Sequence, residues 1–356
     1  MKRGARAKWM KPVFPTLTFP NHYSLVTGLH PGHHGIVNNS FFDPARKQKY
    51  SMSDEVTVTD GTWYRGEPIW VTAETQGMVA ACHFWPGSQA AIKGVLPTFV
   101  KAYDGKVPND TRVRTVLEWL RLPPDRRPHM ITLYFSEVDT ASHDGPLDSP
   151  EVEKAAQSLD RSVGLLLDGI DALPVRDRIN VLITSDHGMV DASAAQAIPI
   201  ESLVDLTGVE ATFDGPVTSL HVTGGDRARA TELRDRLNAR LEHGHAYLRQ
   251  ELPERFHYRT DPRGGDVIVV MEESWRLTRA GGKPPRRERW GAHGWDNALP
   301  SMRATFLAMG PGIRAGVTVD EVENVDVYPL MTELLGLRAA AGIDGRAGRI
   351  GASIRK

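Results

Sequence analysis

Short runs of apolar, β-branched residues alternate along this chain with segments of helical period. The clearest runs, at 79–84, 130–135, 180–184, 267–271 and 305–309, have the length of buried strands rather than helices. Between them the apolar residues recur every three or four positions, which predicts helices over 21–29, 111–120, 151–168, 226–240 and 327–335. Strands alternating with helices predict an α/β fold with a mostly parallel sheet. No internal repeat, low-complexity block or long linker breaks the pattern, so the chain reads as one domain over residues 1–356. The Gly-Gly-Lys-Pro-Pro-Arg-Arg stretch at 281–287 reads as a loop rather than a boundary.

Open α/β sheets bind ligands beyond the carboxyl ends of their strands. Two polar clusters stand at such ends. Asp139 and His143, in Glu-Val-Asp-Thr-Ala-Ser-His, follow the run that ends at 135, and Asp186 and His187, in Thr-Ser-Asp-His-Gly-Met, follow the run that ends at 184.

At 356 residues the chain can bury a core without disulfide staples. Its 40% hydrophobic and 24% charged residues are ordinary for a soluble globular protein, and no stretch is long and apolar enough to span a membrane. A formal charge of −1 argues against a nucleic-acid coat or a polybasic membrane binder. The single cysteine, Cys82, excludes an intrachain disulfide and a thiolate metal cluster, and its apolar neighbours mark it as a core thiol. The first eleven residues are rich in Lys and Arg, like the charged start of a secretory signal, but no apolar segment follows them.

Five scattered segments read together as a two-metal phosphoryl-transfer site. In Pro15-Thr16-Leu17-Thr18-Phe19-Pro20-Asn21-His22, Thr18 stands at the mouth of a helix. It is either the cap of that helix or a nucleophile whose hydroxyl needs a base or metal to act. The free amides and dipole of a first turn suit an anionic phosphate. Asp139 and His143 are close enough to meet on one ion, and Asp186 and His187 can both reach a cation if Gly188 bends the chain. His293, flanked by Ala292 and Gly294, is a further candidate ligand. Carboxylate with imidazole suits Zn²⁺ best, with Mn²⁺ or Fe as alternatives. Asn39 is either a turn residue or a donor to a phosphoryl oxygen. Phe19 and Tyr134 are core residues by default and would sandwich a nucleobase if they face a pocket.

At these residues the chain resembles the nucleotide pyrophosphatase/phosphodiesterase family of the alkaline phosphatase superfamily, its bacterial members above all. The resemblance runs from about Gly4 to beyond Tyr328 and includes Thr18-Phe19-Pro20-Asn21-His22-Tyr23, Val26-Thr27-Gly28-Leu29, His34-Gly35-Ile36-Val37, Trp85-Pro86-Gly87-Ser88 and Asn324-Val325-Asp326-Val327-Tyr328. It implies an alkaline-phosphatase-like sandwich with helices on both faces of the sheet. It implies that Thr18 is a nucleophile forming a covalent nucleotidyl intermediate. Asp139, His143 and His293 would hold one zinc, and Asp186, His187 and Thr18 would hold a second. Asn39 would hold a phosphate oxygen, with Phe19 and Tyr134 stacking on the base of a small-molecule nucleotide. A periplasmic or secreted location is implied in the same way.

The chain departs from the family in one respect. The second zinc site of the family takes a further aspartate from the first central strand of the domain, in an Ile-Asp-Gly-like stretch ahead of the nucleophile. No residue before Thr18 is acidic. The expectation is therefore a domain truncated at its amino end, with the first central strand missing and the second metal site incomplete. Two alternatives stay open: a choline-headgroup phosphodiesterase on the same machinery, and an inactive remnant that serves at most as a binding module. A phosphomonoesterase would be expected to use a serine with a basic neighbour, and the Cys/Ser-x-Pro-x-Arg stretch of sulfatases is absent.

Overall fold

The computed structural model describes residues 3–281, 287–346 and 348–355, so most of the 281–287 loop lies outside the described residues. From the amino end the chain lays down β1 (Gly4–Lys11), α1 (Thr18–Thr27), β2 (Ala80–His83), β3 (Phe99–Lys101), α2 (Asn109–Leu120), β4 (Met130–Leu133), α3 (Glu137–His143), α4 (Pro150–Asp171) and β5 (Val181–Thr184). An antiparallel unit follows, built from β6 (Val209–Asp214), β7 (Val217–Val222), α5 (Arg227–Asn238), β8 (Gly244–Leu248) and β9 (Val267–Met271). The chain then returns to the main sheet with β10 (Phe306–Met309), β11 (Thr318–Glu323) and α6 (Val327–Leu335).

All five strand runs and all five helical segments are present. The α/β class holds, with parallel and antiparallel pairs mixed. Strands β3-β2-β4 are parallel throughout, and β1 is parallel to β11, but β10 runs antiparallel to both β1 and β5. The unit β6-β7-β9-β8 is wholly antiparallel. The link from β6 to β7 is two residues long, far too short for the crossover that a parallel pair needs.

Two boundaries differ from expectation for identifiable reasons. Helix α1 begins at Thr18, ahead of the expected start at 21, because a proline in the first turn removes only an amide that would be unpaired there anyway. The basic start of the chain is not leader-like. It forms β1, whose Lys8 meets Asp320 at 2.7 Å and whose Trp9 indole N–H donates to Glu321 at 2.7 Å. The acidic Thr-Val-Asp-Glu-Val-Glu run of β11 is its parallel neighbour, and Lys11 likewise meets Glu323 at 3.4 Å.

Helices cover both faces. Helices α2 and α4 enclose one apolar cluster around Val113, Leu117 and Ile170. Helices α1 and α6 enclose the main core around Val26, Tyr328 and Leu330. Cys82 lies wholly buried in β2, where burial pushes its thiol up to about 12, as befits a core residue. The sheet, however, is in two pieces. Among the described residues β4 pairs only with β2, β5 pairs only with β10, and a cavity of about 830 Å³ separates β4 from β5.

Candidate active site

Strands β4 and β5 both point their carboxyl ends at one place. Beyond β4 the chain turns into α3, whose first turn carries Asp139 and whose last turn carries His143. Residues four apart on a helix share a face, so the two side chains meet: Asp139 Oδ1 lies 3.4 Å from His143 Nε2. Beyond β5 stand Asp186 and His187, with Asp186 Oδ2 3.1 Å from His187 Nε2. Gly188 does not adopt a left-handed conformation. Its role is steric, because a Cβ there would lie 2.0 Å from the Ser301 carbonyl oxygen.

His293 arrives from far along the chain. The strand Arg289–Ala292 pairs antiparallel with Val190–Ser193, matching Ala292 to Val190, so the residue after one strand meets the loop before the other. The His293 ring consequently stacks on His187 at 3.6 Å, and its Nε2 lies 3.1 Å from His143 Nε2 and 3.7 Å from Asp139 Oδ1. The ligand atoms of Asp139, His143 and His293 all fall within 4.8 Å of one another.

The outward nitrogens of these rings explain their orientation. His143 Nδ1 faces the Gly291 carbonyl, His187 Nδ1 the Gly188 carbonyl and His293 Nδ1 the Thr16 carbonyl, each at 2.8 Å. A carbonyl only accepts, so each Nδ1 carries a proton, and in the neutral ring each Nε2 presents a lone pair inward. Two such lone pairs 3.1 Å apart beside a carboxylate form the donor set of a cation. Burial and then the neighbouring His187 push His293 down to about 3, which keeps it a neutral ligand. His187 Nε2 and Asp139 Oδ1 are buried without hydrogen-bond partners. The residues present therefore fit a metal at Asp139, His143 and His293. Burial opposes the ionised form of both carboxylates, but His143 and His293 hold Asp139 below its ordinary value, and His187 and His22 hold Asp186 well below.

Thr18 is the first residue of α1, and Leu17 takes the cap position without a side-chain hydrogen bond. The capping role is thus not the one Thr18 fills, and its hydroxyl has no hydrogen-bond partner among the described residues. Among the described residues the Thr18 N–H has no partner; Pro20 has no N–H, and the Phe19 N–H donates to Asn39 Oδ1 at 2.8 Å. That bond fixes the Asn39 side-chain amide against the first turn of α1. Asn39 is buried, in the loop before the Ser40–Asp43 strand.

The two aromatic candidates are placed differently. Phe19 is half-buried, with its ring edge-on to Tyr50 at 6.3 Å. The Tyr134 ring stands edge-on to His22 at 5.1 Å, deep beside the carboxylates, and burial followed by the fields of Asp186 and Asp139 raises its hydroxyl. Outside it lies Tyr103, 56% exposed, with its ring 6.3 Å from Tyr134 and 5.3 Å from Phe84. Two residues here were not singled out from the sequence. Tyr103 follows a three-residue strand with no periodic signal. His22 lies one helical turn past Thr18, with Nδ1 2.9 Å from the Thr18 carbonyl and 3.3 Å from Asp186 Oδ2. The i, i+4 spacing from Thr18 was the available clue.

A family model described as type I phosphodiesterase/nucleotide pyrophosphatase matches residues 1–296. The chain belongs to this family. It is 39% identical over 344 residues to the mouse ectonucleotide pyrophosphatase/phosphodiesterase family member 1, a match covering 94% of this chain and 37% of the relative. It is 37% identical over 354 residues to a venom phosphodiesterase of Crotalus durissus collilineatus, covering 98% of this chain and 42% of that protein. The chain thus spans well under half the length of the curated relatives it matches. Among solved structures, mouse ectonucleotide pyrophosphatase/phosphodiesterase 5, in an inactive threonine-to-alanine variant with AMP bound, superposes with a TM-score of 0.91 at 29% identity, covering 99% of this chain and 92% of that one. The human counterpart gives a TM-score of 0.90 at 30% identity, with the same coverage. The fold and family expected from the motifs are those found. No helix among the described residues is long and apolar enough to cross a membrane.

Proposed function

We propose that this chain carries the catalytic site of a zinc-dependent hydrolase of nucleotide phosphodiester and pyrophosphate bonds, which releases a nucleoside monophosphate through a Thr18-linked intermediate. The observation that carries this reading is the convergence of inward Nε2 lone pairs and the Asp139 carboxylate beside a threonine whose hydroxyl is free. The AMP bound to the mouse relative, and the inactivity of its threonine-to-alanine variant, support the substrate class and the nucleophile. Names of relatives as ectoenzymes and venom enzymes support an exported, periplasmic or secreted protein.

One zinc would be held by Asp139, His143 and His293, and a second by Asp186, His187 and Thr18. Bound there, zinc supplies Lewis acidity and lowers the pKa of an oxygen ligand. The Thr18 Oγ attacks phosphorus, forming the Oγ–P bond as the P–O bond to the leaving group breaks, and the leaving oxygen gains a proton. Water then attacks the same phosphorus, its oxygen forms the new P–O bond, and Thr18 Oγ departs and regains its proton. The Thr18 N–H and Asn39 Nδ2 donate to the non-bridging oxygens as charge grows there. Phe19 and Tyr134 face the base, with Tyr103 as an outer wall. The second centre would draw Asp186 and His187 from the end of β5 and Thr18 from the start of α1.

The test is Thr18→Ala, assayed on a nitrophenyl ester of a nucleotide. Turnover is expected to fall at least a hundredfold with zinc content nearly unchanged. A variant retaining more than about a tenth of the activity overturns the nucleophile, and absence of turnover in the unsubstituted protein overturns the activity.

A further inference from the structure

We propose that Arg112 is a positioning residue that sets base specificity: its guanidinium holds the exposed loop of Tyr103 in place as the outer wall of the base pocket. This rests on the nucleotide reading above. Arg112 belongs to the start of α2, yet its side chain turns back over the loop that leads into that helix. Its Nε donates to the Val107 carbonyl at 2.9 Å and its Nη2 to the Gly105 carbonyl at 3.4 Å. Its Nη1 donates to the Tyr134 carbonyl at 2.9 Å. One planar fork thus ties Tyr134, just past β4, to the segment that follows Tyr103.

The same guanidinium reaches the Tyr103 ring in two further ways. It lies over the Phe84 ring, 5.0 Å from its centroid, and Tyr103 packs edge-on to that ring at 5.3 Å. Phe84 follows β2, is buried, and holds a left-handed backbone with φ of 62°, which a bulky residue rarely adopts. Gly105, whose carbonyl the fork holds, lies against the tyrosine as well. A Cβ there would stand 3.2 Å from the Tyr103 hydroxyl oxygen, so moving Gly105 changes the space the ring occupies.

Arg112 is 1% exposed and pairs with no carboxylate among the described residues, although the fields of Glu137 and Asp104 reach it. A buried cation is costly unless its hydrogen bonds are met, and here backbone carbonyls and a ring face meet them. What the fork holds is otherwise loosely fixed. Residues 101–106 are exposed throughout, and the Tyr103 backbone is tied down by its N–H, which donates to Gln89 Oε1 at 2.9 Å. A loop with so few buried contacts samples other positions once the fork is gone. A wall in place about a tenth of the time raises KM for its ligand about tenfold by population alone. Lysine keeps the charge but, as a point donor, cannot meet three carbonyls in that plane. Thr18 and the donor set of Asp139, His143 and His293 make no contact with Arg112, so kcat should not follow KM.

The experiment compares, with zinc supplied, a nitrophenyl ester of a nucleotide with methyl nitrophenyl phosphate, which has the same leaving group and no base. In Arg112→Lys, KM for the nucleotide ester should rise about fivefold or more, while its kcat and both constants for the methyl ester stay within about twofold. Tyr103→Ala should give the same selective rise. Adding Arg112→Lys to it should change KM by less than about twofold further, because the wall being positioned is already gone. An unchanged nucleotide KM in a folded Arg112→Lys protein overturns the proposal, as do equal losses on both esters or full additivity with Tyr103→Ala. Arg112→Met, which fills the same space without the fork, repeats the test. Unfolding of both Arg112 variants below the assay temperature would assign the residue to stability and overturn its positioning role. An unsubstituted protein with no preference for the nucleotide ester would sink the base reading itself, and the proposal with it.

Discussion

Asn39 joins stability to chemistry through two atoms of one side chain, and the two can be separated by substitution. Its Oδ1 accepts the Phe19 N–H at 2.8 Å, satisfying a first-turn amide of α1, while Nδ2 is the proposed donor to a phosphoryl oxygen. The residue is 7% exposed, so an alanine there would leave the Phe19 amide without a replacement from bulk water. Loss of such a cap costs about 1 kcal/mol. For a chain of this size that shifts Tm by about 1–2 °C, from the usual unfolding entropy per residue. Asn39→Asp keeps the acceptor, and a carboxylate near a helix amino end is favourable, so its stability should stay within about 0.5 kcal/mol of the parent. Both variants lose the donor. Removing one preorganised donor to a developing oxyanion costs about a hundredfold to a thousandfold in kcat, and Asp adds repulsion toward the phosphate. Thermal unfolding and turnover of a nitrophenyl nucleotide ester, measured on the same preparations, separate the two roles. Asn39→Asp that keeps more than about a tenth of the parent kcat/KM would refute the donor role. Asn39→Ala as stable as Asn39→Asp would refute the capping role.

His293→Ala should lower zinc stoichiometry measured by atomic absorption after dialysis, because it removes one of three protein ligands; unchanged content would move His293 out of the coordination sphere. Zinc should bind at Asp139, His143 and His293, whose donor atoms already converge, and calorimetric titration showing no zinc binding would contradict that site. Tyr103→Ala and Tyr134→Ala should each raise KM for nucleotide diesters more than for a phosphocholine ester, since base stacking contributes about 1–3 kcal/mol. Equal losses on both substrates would favour the choline-headgroup reading. A base-selective loss confined to Tyr103 would assign the stacking wall to the outer tyrosine.

Much of the site was legible because its ligands sit where strands end. Asp139 and His143 follow one apolar run, Asp186 and His187 another, and a parallel sheet delivers both ends to the same edge. That they lie four apart on a helix rather than in a turn changed nothing, since i, i+4 positions converge as well. His293 was legible only as a motif. Its arrival depends on a pairing between residues 190–193 and 289–292, and no local pattern announces a contact across nearly a hundred positions. Strand β1 escaped notice because its charges suggested a leader, and its partner is an acidic run more than 300 residues away. Propensity describes a segment alone, whereas these elements are fixed by what lies beside them.

The same distinction governs the histidines. Sequence supplies imidazoles, but which nitrogen faces inward depends on what the other nitrogen meets. In each of the three, that partner is a backbone carbonyl: Gly291 for His143, Gly188 for His187, Thr16 for His293. Two of the three carbonyls belong to glycines whose lack of a side chain is itself enforced by close packing. A Cβ on Gly188 would meet the Ser301 carbonyl oxygen at 2.0 Å, and one on Gly291 would meet the Ser142 carbonyl oxygen at 2.8 Å. The third, Thr16, precedes Thr18 by two residues, so the segment that carries the proposed nucleophile also orients His293. A change in that segment would therefore disturb the threonine and His293 together. In the proposed metal site this coupling would place the carbonyls, and the glycines that let them approach, among the parts that set metal affinity.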